Sequence, residues 1–297
     1  MTERLDELLL VLDLEELEIN HYRGISPNDA WQRVYGGQVL GQALVAASRT
    51  VDDTARSAHS LHAYFLRPGD PSIPVIFHVD KIRDGKSFTT RRVVASQNGR
   101  AIFNTSLSFQ VSETGLSHQI EMPDCPPPEE LEDDNIRWKK VLKAMDSQSA
   151  SKSTKIRPSL RPIEIRSVEP LDHLNPKKRK PEQMIWMRAK GAIADKDNGI
   201  DKALHHAVLG YASDFNLMGT SLLPHGISIV NQNLHAASLD HAIWFHDQFR
   251  ADEWLLYHMD SSRSSRSRGL SHGSFFSQDG RLVASTIQEG LIRITES

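Results

Sequence analysis

The 297-residue sequence predicts an α+β fold made of two tandem copies of one unit, each a long helix laid against an antiparallel sheet. Three observations carry this. The chain resembles itself: Ser96–Phe103 (SQNGRAIF) matches Ser277–Ala284 (SQDGRLVA) at an offset of 181, Phe77–Asp80 matches Tyr257–Asp260 at 180, and Val39–Ala43 matches Val208–Ala212 at 169. The matches keep their order, and the offset drifts only as loops would allow. Each copy sets a helix rich in small and aliphatic residues ahead of its strands. Each copy also carries a hairpin signal between its last two strands, Asn98-Gly99 in the first and Asp279-Gly280 in the second.

Taken in order, the chain opens with Leu5, Leu8, Leu9 and Leu12 at i, i+3, i+4 and i+7, the spacing of an amphipathic packing helix. The first copy then reads as a helix over Gly37–Ser48 and strands near Ser60–Leu66, Ile73–Arg83, Thr89–Gln97 and Arg100–Val111. Residues 112–160 change character, with Pro126-Pro127-Pro128, an acidic run and a stretch of Ser, Lys and Ala, which is the composition of a partly disordered linker. The basic run Pro176–Pro181 reads as a solvated loop before a strand around Met184–Arg188. The second copy reads as a helix over Asp201–Asp214 and strands near Ala236–His246, Glu253–Asp260, Gly269–Ser277 and Arg281–Ile294. The expected organisation is therefore an N-terminal unit over 1–111, a linker over 112–160 and a C-terminal unit over 161–297.

Composition excludes several classes. With 35 Lys and Arg against 38 Asp and Glu, the formal net charge is -3, so no global footprint for nucleic acid exists. One cysteine, Cys125, rules out an internal disulfide framework and a cysteine-based zinc site. No apolar run approaches the roughly 20 residues of a membrane-spanning helix. The acidic N-terminus lacks a small-residue cleavage site, so a cytoplasmic location is expected. Fourteen histidines fall in no metal-binding spacing; neighbours such as His205 and His206, or His241 and His246, point to opposite faces. A nucleophile elbow, a phosphate-binding loop and a dinucleotide fingerprint are all missing, so neither metal nor cofactor is expected.

Chemistry should surface where the two copies disagree against the local pattern. On the last strand, side chains alternate between faces. Ala101, Phe103, Thr105, Leu107 and Phe109 share one face in the first copy, and Leu282, Ala284, Thr286, Gln288 and Gly290 share it in the second. Gln288 thus stands where the first copy has Leu107. A buried amide without partners costs about 1–3 kcal/mol, so it should be there to make hydrogen bonds. On the helix, Asp214 stands where the first copy has Val45. It is disfavoured there by burial and by the negative end of the helix dipole. Such violations cluster at functional sites, although an exposed terminal aspartate of no function reads equally well from pattern alone.

The stretches Tyr35–Ala43 (YGGQVLGQA), Ser60–Asp70 (SLHAYFLRPGD), Arg83–Phe88 with Arg91-Arg92-Val93, Ala212–Leu217 (ASDFNL), Leu239–His246 (LDHAIWFH) and Gln278–Gly290 together resemble the acyl-CoA thioesterase II family of double-hotdog enzymes. The resemblance covers almost the whole chain outside the linker. It implies two tandem hotdog domains, each a central helix wrapped by an antiparallel sheet, and hydrolysis of acyl-CoA thioesters. It also implies a catalytic trio from the second copy, which carries over by motif to Asp214, Ser238 and Gln288. Ser238 departs from the family's commoner Thr; the hydroxyl remains, but the stiffer first torsion of Thr is lost. The implied mechanism is attack by a water that Asp214 deprotonates and the other two orient, with direct attack by Asp214 as the lesser alternative. His62 lies in a family motif and is a candidate substrate contact, although a packed core histidine fits it better. Arg83 and Lys86 are candidates for the CoA phosphates. Competing readings are an enoyl-CoA hydratase and a non-catalytic acyl-CoA binding module. The family's habit of associating through its sheets implies a homo-oligomer, a dimer or tetramer. The terminal Glu296-Ser297 lacks the Ser-Lys-Leu peroxisomal address, which argues against a peroxisomal placement.

Overall fold

The computed structural model describes residues 3–27, 33–148, 162–195, 201–231 and 233–295. Helix α1 (Glu3–Leu12) leads into a short hairpin, β1 (Glu15–Glu18) and β2 (His21–Gly24), turned at Asn20. The first copy follows as α2 (Gly36–Ser48), β3 (Arg56–Phe65), β4 (Val75–Asp84), β5 (Phe88–Gln97) and β6 (Arg100–Val111). After α3 (Asp134–Gln148), the second copy comprises β7 (Ile163–Ser167), β8 (Glu182–Ala189), α4 (Lys202–Ser213), the short α5 (Leu217–Thr220), β9 (Leu234–Ser238), β10 (Asp240–Phe245), β11 (Leu255–Ser265), β12 (Arg268–Ser277) and β13 (Leu282–Ile294).

All the strands join one antiparallel sheet in the order β1-β2-β4-β5-β6-β3-β10-β13-β12-β11-β8-β7, with β9 also paired to β13. The two copies meet at β3 and β10, where Ser60 through Tyr64 pair with Trp244 through Asp240. Helices α2 and α4 pack against each other on the inner face. One continuous apolar core joins both halves, including Leu61, Phe77 and Phe109 of the first and Ile185, Tyr257 and Phe275 of the second. The Asn98-Gly99 turn is left-handed at both residues (φ 49° and 71°), as a tight two-residue hairpin requires.

The strand expected over Ala236–His246 is two strands. The register changes by one residue between the Gly290–Ser238 and Ala242–Ile287 pairs, with Leu239 as the extra residue. The first copy carries the same irregularity between Ala58 and Ser60. Bulges of this kind re-aim neighbouring side chains.

The expected linker is also more ordered than its composition suggests. The described part, 112–148, lies across the back of the second copy's sheet and ends in α3. Trp186 Nε1 donates to Pro126 O (2.9 Å), Arg166 donates to Pro128 O (2.7 Å), and the Asp134 carboxylate accepts from the Ser167 backbone N–H. The cause is the outer face it covers: Trp186, Trp254, Leu256 and Phe276 form a second apolar cluster there, closed by Met122, Cys125 and Leu131. Linker residues 149–160 lie outside the described residues, as does the terminal Glu296-Ser297.

Candidate active site

Asp214 is the residue that caps the C-terminal end of α4, which stops because Asn216 takes a left-handed conformation (φ 65°) before α5 begins. The preceding residue, Ser213, is fixed from two sides. Tyr257 donates its hydroxyl hydrogen to the Ser213 carbonyl (3.0 Å), and Ser213 Oγ lies 3.0 Å from His241 Nε2. The position of the carboxylate is therefore set by the sheet below it.

Gln288 points inward from β13 and is fully buried. Its Nε2 donates to Asp214 Oδ1 (2.7 Å) and to Ser238 Oγ (3.0 Å). Since an ionised carboxylate only accepts, the orientation of the amide follows. Ser238, the last residue of β9, sits beside the bulge and reaches Asp214 Oδ1 at 3.5 Å, a long contact. Asp214, Ser238 and Gln288 thus come together from a helix end and two strands.

The first copy supplies the fourth member. The backbone N–H of Gly37, in the first turn of α2, donates to Asp214 Oδ2 (3.0 Å). The unfavourable dipole of α4 is thereby met by the favourable N-terminus of α2. Only glycine permits this approach, because a Cβ on Gly37 would lie 2.2 Å from the Tyr211 carbonyl. Tyr35, Tyr211 and Phe215 pack ring against ring beside it. Burial pushes the Asp214 carboxyl above the ordinary range, while hydrogen bonds from Gln288, Gly37 and Ser238 oppose the shift. A carboxylate raised by burial, yet held by donors, is suited to accept a proton near neutral pH.

The remaining expected contacts lie elsewhere. His62 is neither a core residue nor near the trio: it is exposed on the outer face of the sheet, edge-on to the Trp244 ring (5.0 Å between centroids). The alternation of β3 explains this, since its neighbours Leu61 and Ala63 take the inner face. Arg83 and Lys86 are exposed at the β4–β5 turn, by the Arg56 end of β3, whereas Asp240 pairs with Tyr64 at its other end. Eight residues of strand, about 26 Å, separate those ends. His205 and His206 are both buried but turn to different partners, the Ala251 N–H and the Phe245 ring, while His241 is buried and His246 exposed. Among the described residues, no group of three His, Cys, Asp or Glu side chains could hold a metal ion, and no helix is long and apolar enough to cross a membrane.

Sequence reasoning found Ser238 only through the resemblance, but the copies would have given it. With the bulge in both strands, Ser238 (opposite Gly290) falls on Ala58 (opposite Phe109). The three polar positions of the second copy are thus Val45, Ala58 and Leu107 in the first. The position of Ser271, opposite Gln288, is held in the first copy by Arg91, opposite Leu107. That arginine is buried and engaged by Thr50 and Asp84.

Two fused helix-on-sheet units, with one buried carboxylate between a helix N-terminus, an amide and a hydroxyl, define a double-hotdog hydrolase. The comparisons with known proteins narrow the class. Residues 26–110 match the family model described as "Acyl-CoA thioesterase N-terminal domain", and residues 155–291 match "Acyl-CoA thioesterase". The chain is 42% identical over 291 residues to mouse "Acyl-coenzyme A thioesterase 8", covering 96% of this chain and 88% of that protein. It is 36% identical to "Acyl-CoA thioesterase 2" of Haemophilus influenzae over the full length of both. Among solved structures, an acyl-CoA thioesterase II from Mycobacterium marinum superposes with a TM-score of 0.74 at 38% identity, covering 98% of each chain. The chain belongs to the acyl-CoA thioesterase II family, whose members hydrolyse acyl-CoA thioesters.

Proposed function

We propose that Asp214, Ser238 and Gln288 activate a water that hydrolyses acyl-CoA, and that this is the chain's one reaction centre. Asp214 takes a proton from the water as its oxygen adds to the thioester carbonyl. Backbone N–H groups stabilise the oxyanion, as acyl transfer requires. The C–S bond then breaks, the proton on Asp214 passes to the departing sulfur, and carboxylic acid and CoA thiol leave. Ser238 and Gln288 orient the water and hold the carboxylate. The observation that carries this reading is the 2.7 Å hydrogen bond from Gln288 Nε2 to the buried Asp214 carboxylate, which has no counterpart in the first copy.

The division of the chain follows the same reading. Residues 1–111 form a unit without chemistry of its own, and residues 161–297 carry the trio. The protein works in the cytoplasm as a homo-oligomer associated through the outer face of its sheet, where Tyr64 stands 60% exposed at the centre. The test is a panel of acyl-CoAs of increasing chain length, with released thiol detected by a thiol-reactive dye, on wild type and Asp214→Asn. Wild type should release stoichiometric thiol and the variant almost none. An Asp214→Asn protein that turns over at the wild-type rate would overturn the assignment.

A further inference from the structure

Three inward side chains form a row across neighbouring strands of the second copy: His241 on β10, Gln288 on β13 and Ser271 on β12. Ser271 and Gln288 are register partners, and His241 and Gln288 lie one step beyond the Ala242–Ile287 pair. All three are 0% exposed. Each has one polar atom without a hydrogen-bond partner among the described residues: His241 Nδ1, Gln288 Oε1 and Ser271 Oγ. A buried unpaired polar atom costs about 1–3 kcal/mol, so three in a row call for an explanation.

The Gln288 oxygen needs a donor. Its Nε2 already serves Asp214 and Ser238, which lie on the β9 side of β13. The other branch of the amide, Oε1, is left unpaired among the described residues, and Ser271 on β12 is the register partner of Gln288 on the opposite side from β9. His241 cannot supply the proton. Ser213 Oγ donates to the Gly210 carbonyl (3.0 Å), so His241 Nε2 must be the donor to Ser213 Oγ. In a neutral imidazole Nδ1 is then a bare acceptor. Burial pushes the His241 pKa down to about 3, so the ring is neutral. Ser271 is left as the one hydroxyl in the row with a free hydrogen.

We infer that Ser271 is a positioning residue: its hydroxyl, directly after rotation or through one water, donates to Gln288 Oε1 and keys the amide toward Asp214. The inference rests on the catalytic reading of Gln288. A donor at Oε1 fixes the plane of the amide and polarises it, so that both Nε2 hydrogens become stronger donors to Asp214 and Ser238. The first copy supports the pairing independently. Where Gln288 is replaced by Leu107, the serine is replaced by Arg91, whose guanidinium turns to Thr50 and Asp84 instead.

The test compares Ser271→Val with Ser271→Thr in the full chain. The two side chains have the same shape and differ only in the hydroxyl, so any packing cost is common to both. Ser271→Thr should keep kcat within about threefold of wild type, and Ser271→Val should lower kcat about tenfold at unchanged KM, the size expected when one hydrogen bond in a network is removed. In a Gln288→Leu background the two should be indistinguishable, since Ser271 acts through the amide. Ser271→Ala against wild type repeats the comparison without added bulk. Equal kcat for the Val and Thr variants, or a difference that persists without Gln288, overturns the inference. A Gln288→Leu enzyme with wild-type kcat would instead overturn the catalytic reading beneath it.

Discussion

Gln288→Leu is the sharpest perturbation of this site, because it installs the residue that the first copy already carries at Leu107. It removes a 2.7 Å hydrogen bond to the Asp214 carboxylate and a 3.0 Å bond to Ser238 Oγ, leaving Asp214 with the Gly37 N–H at 3.0 Å and the long Ser238 contact. A hydrogen bond to a charged group contributes about 1.5–3 kcal/mol. At 1.36 kcal/mol per pKa unit, its loss raises the Asp214 pKa by roughly one to two units, adding to the rise that burial already causes. The acidic limb of the kcat/KM profile, which reports the free enzyme's base, should move up by that amount. Loss of a preorganised donor should also lower kcat about 10²–10³-fold on the basic plateau. The effect on stability appears only at the upper end of the pH range. A carboxyl with a raised folded pKa stabilises the fold less as pH climbs above the unfolded value of about 3.9, so the variant's deficit should grow from pH 4 to 8 and vanish below. Thiol release across pH 5 to 9, paired with melting temperatures, measures both. A folded variant with the wild-type rate and an unmoved acidic limb would refute the reasoning.

Other outcomes follow from the same geometry. Asp214→Asn should lose at least about 10³-fold in kcat yet melt at the same or a higher temperature at pH 8, since a buried charge is removed; a lower melting temperature there would make Asp214 structural. Ser238→Ala, the first copy's residue at this position, should cost about 10–100-fold in kcat with little change in KM, and Ser238→Thr should restore it; equal rates for Ala and Thr would remove the hydroxyl from the mechanism. His206 is buried between α4 and the ring of Phe245 (4.0 Å), and burial depresses its pKa to about 3. Its stabilisation is therefore complete above the unfolded value near 6.5 and is lost as pH falls, by up to about 1.4 kcal/mol per unit. His206→Phe should flatten the acid-unfolding curve between pH 6 and 4, and an unchanged slope would show that the histidine is not held neutral.

Much of this was legible in the sequence because duplication provides an internal control. Gln288 and Asp214 could be read as anomalies against Leu107 and Val45, and strand alternation placed Gln288 on the buried face. Ser238 escaped that comparison because a continuous strand was expected, and one bulged residue reverses which positions correspond. Gly37 was invisible for a different reason: it contributes a backbone N–H, which every residue but proline has. Arg83 and Lys86 sit at the far end of β3 from the trio, which the sequence could not tell, because a motif gives order along the chain but not which end of a ten-residue strand faces the chemistry. Helix α3 was hidden by its polar composition; its contacts are tertiary, the Asp134 carboxylate accepting from the Ser167 N–H and Trp138 stacking on the His173 ring, and local pattern does not carry them.

The hydrogen bond from Gly37 to Asp214 crosses the seam between the copies, and this has an evolutionary reading. Two identical separate chains would have to encode both the donor turn and the carboxylate in every subunit, and symmetry would give two centres. Fusion lifts that requirement. The first copy can keep the glycine turn while losing the acid to Val45, and the second can keep the acid while His206 stands where the glycine was. On the proposed reading each half is a specialist, the first supplying the donor turn and the second the carboxylate.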